Sequence, residues 1–298
     1  MENFNGYFLG TQPYGTNEGG CLPYREDEIK RLNFMLDNER VSLLSSEKRM
    51  GKTSLINSVI SAEEKLSVKK VMALKFDVPP FKFGEQVLEK QLVSFFISKC
   101  QKPSYIDMAF ENDNSLWYAS KKLQACFPEI SRFYLIFDSF ENFFTYTDSA
   151  RKEFAKTLSG LIYGDIPQKF NEEIQNIMLG KSDAVLPKDA MKLLYESLNV
   201  SVLFSVSEDS YNAMAELEEN IHGVFNNTLK LSPFDFSTAQ NAFQVIANQE
   251  FDGLPKVLLT KKPLKKLFPA FLSTVLLIRA FCVVRFFISE KILTIKIL

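Results

Sequence analysis

"SSEKRMGKTSLINSV", Ser45 to Val59, decides how this chain is read. Its centre, Met50-Gly51-Lys52-Thr53, places a glycine, a lysine and a hydroxyl residue in a row just before a helical pattern, as a phosphate-binding loop does. Such a loop works because successive backbone N–H groups and the N-terminus of the next helix point at one phosphate. A lysine bridges to further phosphate oxygens and a hydroxyl ligates magnesium. Gly51, Lys52 and Thr53 fit those roles, with Ser46, Arg49, Met50 and Ser54 as the remaining expected nucleotide contacts. Lys52 is also an expected catalytic residue, and the expected cofactors are a nucleotide and Mg2+. The departure is Ser46, which stands where such loops open with glycine. Strained dihedrals there would cost about 1 kcal/mol.

The flanks supply the context the loop needs. VSLLSS (41–46) is a short, mostly apolar run with a β-branched start, and TSLINSVISAEEKL after the loop reads as helix. Further strands are expected at KVMALKFDV (70–78), stopped by Pro79 and Pro80, at RFYLIFDS (132–139), at NVSVLFSVS (199–207) and at TLKLSPF from Thr228. A helix is expected from Arg25, with Ile29, Leu32 and Leu36 at helical spacing and acids in its first turn. Strands separated by helices predict parallel pairing with right-handed crossovers. The expected class is therefore α/β, a three-layer αβα sandwich around a mostly parallel five-stranded sheet. The expected domain plan is an irregular arm (1–24), a P-loop NTPase domain (25–250) with a helical insertion at about 161–197, and a short helical segment (251–298).

Composition narrows the function classes. A chain of 298 residues with 46% hydrophobic side chains can bury a large core. The net charge of −1 gives no broad electrostatic footprint for nucleic acid. Cys21, Cys100, Cys126 and Cys282 show no CxxC pairing, which argues against a zinc site or a disulfide framework and for a reducing compartment. The only histidine, His222, disfavours Ser-His-Asp chemistry and His-rich metal sites and reads as a surface or cap residue. The start, MENFNGYFLG, has neither a basic n-region nor an apolar h-region, so a cytoplasmic location is expected. Phe95-Phe96 and Phe143-Phe144 read as core, and Trp117-Tyr118 as part of a helix.

A phosphate-binding loop needs an acid at the end of another strand to hold magnesium through water. FYLIFDSFENFFT supplies Asp138 at a strand end and Glu141 three residues later. If the chain bends after Asp138, Glu141 can orient a water for in-line attack on a γ-phosphate. The other reading of Glu141 is a solvated helix-start carboxylate, favoured by the helix dipole alone.

These residues together resemble the nucleotide-binding domain of STAND-type signalling NTPases, a branch of the AAA-related P-loop ATPases. The family's magnesium strand continues as DQFEELFT; here it reads Asp138-Ser139-Phe140-Glu141-Asn142-Phe143-Phe144-Thr145. Tyr24-Arg25-Glu26-Asp27-Glu28-Ile29 is similar to its GREEEI-like box on the adenine side, with Tyr24 in place of glycine, and Arg25 is the expected nucleotide contact. Ser207 to Phe243 is similar to the family's LREDYLAxLDELEExIPxLFxNRYRLxPLxxxxAxxAI, so the resemblance runs over residues 20 to 250. It implies an ATP- and magnesium-dependent regulatory switch that works with a protein partner or by self-association. Ser46, Ser139 and Ser207 depart from the pattern, Ser207 from an arginine that could sense the γ-phosphate. Losing such a contact costs about 1.5–3 kcal/mol, roughly ten- to a hundred-fold. Slow hydrolysis is therefore expected, and the alternative is a hydrolysis-deficient nucleotide-binding scaffold acting through protein contacts. A DNA-associated ATPase of the same class is a third reading.

From Leu267 the chain turns apolar and basic, with Glu290 its only acid. Residues 267–288 are long enough to span a bilayer. Arg279 and Arg285 would each add about 2.5–3.5 kcal/mol at its centre. Three readings stay open: a helical lid, membrane association, and a truncated or frame-altered tail without evolved structure.

Overall fold

The computed structural model describes residues 24–65, 70–84, 87–100, 103–110, 113–181, 186, 188–235, 237–239 and 241–242. The expected arm apart from Tyr24, the segment 251–298 with its apolar stretch 267–288, Cys21 and Cys282 lie outside the described residues.

Five strands form one sheet: Val41–Ser46 (β1), Val71–Asp77 (β2), Arg132–Asp138 (β3), Val200–Ser207 (β4) and Thr228–Lys230 (β5). Their order is β2-β3-β4-β1-β5, so the strand before the loop and the strand ending in Asp138 are separated by β4. β2 pairs with β3 in parallel, Asp77 opposite Asp138, and β3 pairs with β4 in parallel, Phe137 opposite Phe204. This is the mostly parallel α/β architecture that strand–helix alternation predicts. β1 and β4 are buried along their whole length and read as near-continuous apolar or small-residue runs, as strands covered on both faces must. β2 is only partly buried and ends at Asp77, two residues before the Pro79-Pro80 pair that cannot continue a ladder.

The helices are Glu26–Asn38 (α1), Lys52–Lys65 (α2), Leu88–Lys99 (α3), Tyr105–Ala109 (α4), Leu116–Cys126 (α5), Asp148–Tyr163 (α6), Gln168–Met178 (α7) and Lys188–Tyr195 (α8). A 3-10 helix, Phe140–Thr145, follows β3, and two more, Glu208–Ser210 and Asn212–Glu219, follow β4. The chain divides into two compact units. The larger takes Asn33–Ser45 and Glu63–Leu229; the other takes the described residues up to Leu32, Ser46–Ala62 and those from Lys230 onward.

The larger unit holds the main core. Leu135, Phe137, Val202 and Phe204 from β3 and β4 pack with Leu92 and Phe96 of α3, Leu123 of α5 and Phe154 and Leu158 of α6. Phe96 and Phe143 are fully buried, while Phe95 and Phe144 pack against the cluster from its margin. A second cluster joins Ile106, Phe110, Trp117, Phe170, Ile174 and Leu194, so α7 and α8 close onto α4 and α5. Trp117 stacks on Phe170 with centroids 4.1 Å apart. Lys121, buried in α5, donates to the carbonyls of Leu193 and Glu196 at the end of α8, and burial pulls its pKa down to about 8. α6 ends at Gly164 with φ 81°, where a Cβ would meet Ser197 Cβ at 2.5 Å; that turn requires glycine twice over.

Polar ties set the register of α1 against the strand ends. Tyr134 donates to Asp37 at 2.6 Å, and Ser201 donates to the carbonyls of Leu36 and Glu39. Among the described residues no helix is long and apolar enough to cross a membrane.

Candidate functional site

The loop begins where β1 ends. Ser46 is fully buried, Glu47 to Arg49 are exposed, and α2 opens at Lys52 with its first bond from Leu55 N to Gly51 O at 2.9 Å. Two residues adopt positive φ: Arg49 at 67° and Gly51 at 90°. Gly51 has open space around it, so only its backbone demands glycine. Ser46, where strain was to be expected, is not among the positive-φ residues, and its hydroxyl donates to Glu47 O at 2.8 Å. The left-handed burden falls instead on Arg49, a long side chain in a conformation that costs about 1–2 kcal/mol. Arg49→Gly is therefore expected to raise stability by about 0.5–1 kcal/mol after glycine's greater unfolded-state entropy is subtracted. Chemical denaturation would read it as a higher midpoint with an unchanged slope.

The Lys52 ammonium lies 3.2 Å from Ser46 Oγ and 3.5 Å from Ser46 O. The lysine thus folds back over the start of its own loop, where it meets the two neutral oxygens of Ser46. The first turn of α2 carries no acid, in contrast to α1, whose first turn holds Glu26, Asp27 and Glu28. A helix N-terminus without acids keeps its partial positive charge for an external anion. Met50, Gly51, Lys52 and Thr53 are half-buried and Ser54 is buried, so the segment borders solvent without being loose on it.

Arg25 is nine-tenths buried. It donates to Glu28 Oε1 and to Ser232 O at 2.7 Å, and its guanidinium sits 3.9 Å from the Phe234 ring centroid. These contacts tie the start of α1 to the segment after β5. Tyr24, before it, has φ 64°.

Asp138 and Glu141 belong to the larger unit. Asp138 closes β3 and is buried. One carboxylate oxygen accepts from Ser139 N at 3.0 Å, and the other meets the Lys75 ammonium at 3.2 Å. Lys75, on β2, also holds Asp77 at 2.8 Å. Burial alone would pull the Lys75 pKa down, but its bond to Asp77 and the charges of Asp138 and Asp77 outweigh it and hold the pKa above the ordinary lysine value. Ser139 turns the chain with φ 55°, and Glu141 follows in the 3-10 helix. Glu141 Oε2 accepts from Ser207 N, at the end of β4, at 3.2 Å. Asn142 donates to Val78 O at 2.7 Å, and Thr145 accepts from Phe81 N at 2.8 Å, which pins this helix to the chain leaving β2. Asp138, Glu141 and Ser207 are therefore brought together where two parallel strands end, the edge at which open α/β sheets bind ligands.

Lys75 and the Ser207 amide are the contacts that sequence reading missed. The pattern Lys75-x-Asp77 carries a hint of an ion pair, but only the β2–β3 register sets Lys75 beside Asp138. Thr53 and Asp138 offer a hydroxyl and a carboxylate, hard oxygen donors of the kind magnesium takes. Asp138 already meets the Lys75 ammonium, so a metal ion there would have to share the carboxylate with that lysine or displace it. His222 is exposed, and its amide donates to Tyr163 Oη at 2.9 Å, a turn contact.

A lysine-bearing loop after β1, a buried aspartate closing β3 and the order β2-β3-β4-β1-β5 define the α/β fold of P-loop NTPases. Comparison with solved structures agrees on that fold. The chain is similar to a Walker-type ATPase of Pyrococcus abyssi, with TM-score 0.57 and 15% identity over 94% of this chain and 71% of that one. It is also similar to the Aeropyrum pernix ORC1 protein solved in complex with DNA, with TM-score 0.55 and 12% identity over 93% of this chain and 63% of that one. The Aeropyrum pernix ORC2 protein in its ADP form gives TM-score 0.52 and 13% identity over 94% and 67%. No protein-family model and no curated protein matches the chain.

Proposed function

We propose that the chain is an ATP- and magnesium-binding P-loop NTPase that acts as a regulatory switch with slow hydrolysis. The observation that carries this reading is the loop: a positive-φ turn at Arg49 and Gly51, an acid-free helix start, and Lys52 resting on the oxygens of Ser46. Phosphate oxygens can exchange for those of Ser46, and the exchange replaces neutral acceptors by charged ones. In this reading Ser46, Arg49, Met50, Gly51, Lys52, Thr53 and Ser54 hold the phosphates and Arg25 holds the adenine-side segment. Thr53 and Asp138 support magnesium, and Glu141 orients water. The Walker-type ATPase and the ADP-form ORC2 protein among its structural neighbours favour the same ligand class.

The STAND-type assignment draws support from Tyr24, whose φ of 64° falls where the family's box carries glycine, the residue that takes such a φ freely. It implies a protein partner or a second copy of the chain, and a cytoplasmic location.

A second reading, a nucleotide-binding scaffold without turnover, is favoured by the Ser207 amide on Glu141 Oε2 and by the absence of a cationic side chain at position 207. DNA binding, known for the ORC1 neighbour, has the net charge of −1 against it.

Titration of labelled ATP with magnesium tests the proposal. The natural chain is expected to bind, and Lys52→Ala to weaken binding at least about ten-fold, the loss of one charge-assisted contact. Equal binding by both proteins, or none by either, would sink the reading of the loop.

A further inference from the structure

Asp138, the carboxylate read above as support for magnesium, already meets a cation of the chain's own. β2 and β3 run in register with Asp77 opposite Asp138, so two carboxylates stand at one level of the sheet and repel. Lys75 lies two residues before Asp77, on the same face of β2, and answers both. Its ammonium is 2.8 Å from Asp77 Oδ1 and 3.2 Å from Asp138 Oδ2. The other oxygen of Asp138 accepts from Ser139 N at 3.0 Å, so both oxygens of that carboxylate are engaged. All four residues belong to the larger unit.

The two carboxylates differ in what they can do without the lysine. The Asp77 side chain is 74% exposed and keeps water as a partner, whereas that of Asp138 is 3% exposed and would be left as a buried charge. Lys75, at 22% exposure, can leave Asp138 and stay paired to Asp77. It is a cation with two seats, one of them the place expected for a metal ion.

We infer that Lys75 is a tethered counter-ion that holds the metal carboxylate until metal and nucleotide bind, and thereby sets how much magnesium the site requires. The inference rests on the reading of Asp138 as the magnesium carboxylate. A divalent cation would supply there the positive charge that Lys75 provides in its absence. Two cations on one buried carboxylate repel, so Lys75 withdraws to Asp77. Lys75 is thus a positioning residue, acting through Asp138. A lysine that only braced the β2–β3 edge would weaken metal binding when removed, or leave it alone; a competitor strengthens it.

The experiment titrates Mn2+, a carboxylate-binding stand-in for magnesium, against the full chain without nucleotide and follows the free ion by electron paramagnetic resonance. Lys75→Met is expected to bind Mn2+ about ten-fold or more tightly than the natural chain, because the metal no longer breaks a charge-assisted contact. Asp77→Asn removes the second seat and should shift binding the other way, about two- to five-fold weaker, the range of a half-exposed ion pair. Adding Asp138→Asn to Lys75→Met should abolish the gain. A parallel titration of labelled ATP should show Lys75→Met reaching half-maximal binding at a lower magnesium concentration. Unchanged or weaker Mn2+ binding by Lys75→Met, a gain that survives Asp138→Asn, or no Mn2+ binding by any chain would overturn the inference. If Lys75→Met does not fold, Asp77→Asn decides: binding equal to or tighter than that of the natural chain overturns it. Loss of the ATP arm alone would sink the reading of the loop and leave the Mn2+ arm to decide the role of Lys75.

Discussion

Glu141→Gln is expected to lower phosphate release from ATP by about 10²- to 10⁴-fold while leaving ATP affinity within about two-fold, the range of a lost general base. Glutamine keeps the shape of the side chain and an oxygen that can accept from Ser207 N, the contact that holds Glu141 at the end of β4. What it loses is the carboxylate's ability to draw a proton from water. The comparison needs single-turnover phosphate release alongside an ATP titration, because release alone would confuse binding with chemistry. If Glu141→Gln releases phosphate as fast as the natural chain, Glu141 is a structural acceptor and not the base. If the natural chain binds ATP and releases nothing above background, the scaffold reading replaces the switch ATPase.

Phe137→Ala is expected to destabilise the fold by about 3–5 kcal/mol, the usual range for removing a buried phenylalanine. Phe137 is fully buried one residue before Asp138. Its ring stacks on Phe204 at 5.5 Å and meets Phe76 at 6.0 Å, Phe140 at 5.6 Å and Phe154 at 5.9 Å in edge-on geometry. One truncation therefore opens a cavity shared by β2, β3, β4, the 3-10 helix and α6. Urea denaturation should show the midpoint falling with little change in slope. Phe137→Leu should lose less, because it leaves a smaller void. A loss below about 1 kcal/mol for Phe137→Ala would mean that the neighbouring rings collapse into the gap, and that the cluster is not the rigid base of the Asp138 strand end.

The fold was legible because each strand announced itself locally. VSLLSS, VSVLFSVS and all of RFYLIFD after Arg132 are runs that a twice-covered parallel sheet buries, and the helices between them leave few topologies. Boundaries were equally local: Pro79 and Pro80 ended β2, and Asp138 ended β3 where an apolar run met an acid. The helices α7 and α8 could be read as helical, but their attachment to α4 and α5 through Trp117 and Phe170 could not, because that contact joins residues far apart in the chain.

Within the candidate site the division is of the same kind. Sequence by itself determined the residue types and their order: Gly51-Lys52-Thr53 opening a helix, Asp138 at a strand end and Glu141 three positions on. These follow from short-range rules of backbone geometry and helix polarity, which act within a few residues. Tertiary structure alone decided that Lys75 sits on Asp138, that the Ser207 amide holds Glu141, and that Arg49, not Ser46, carries the left-handed turn. Those three facts depend on strand register and on the path of a loop closed at both ends. None of them leaves a periodic or local trace, because the groups concerned meet only after the sheet has assembled.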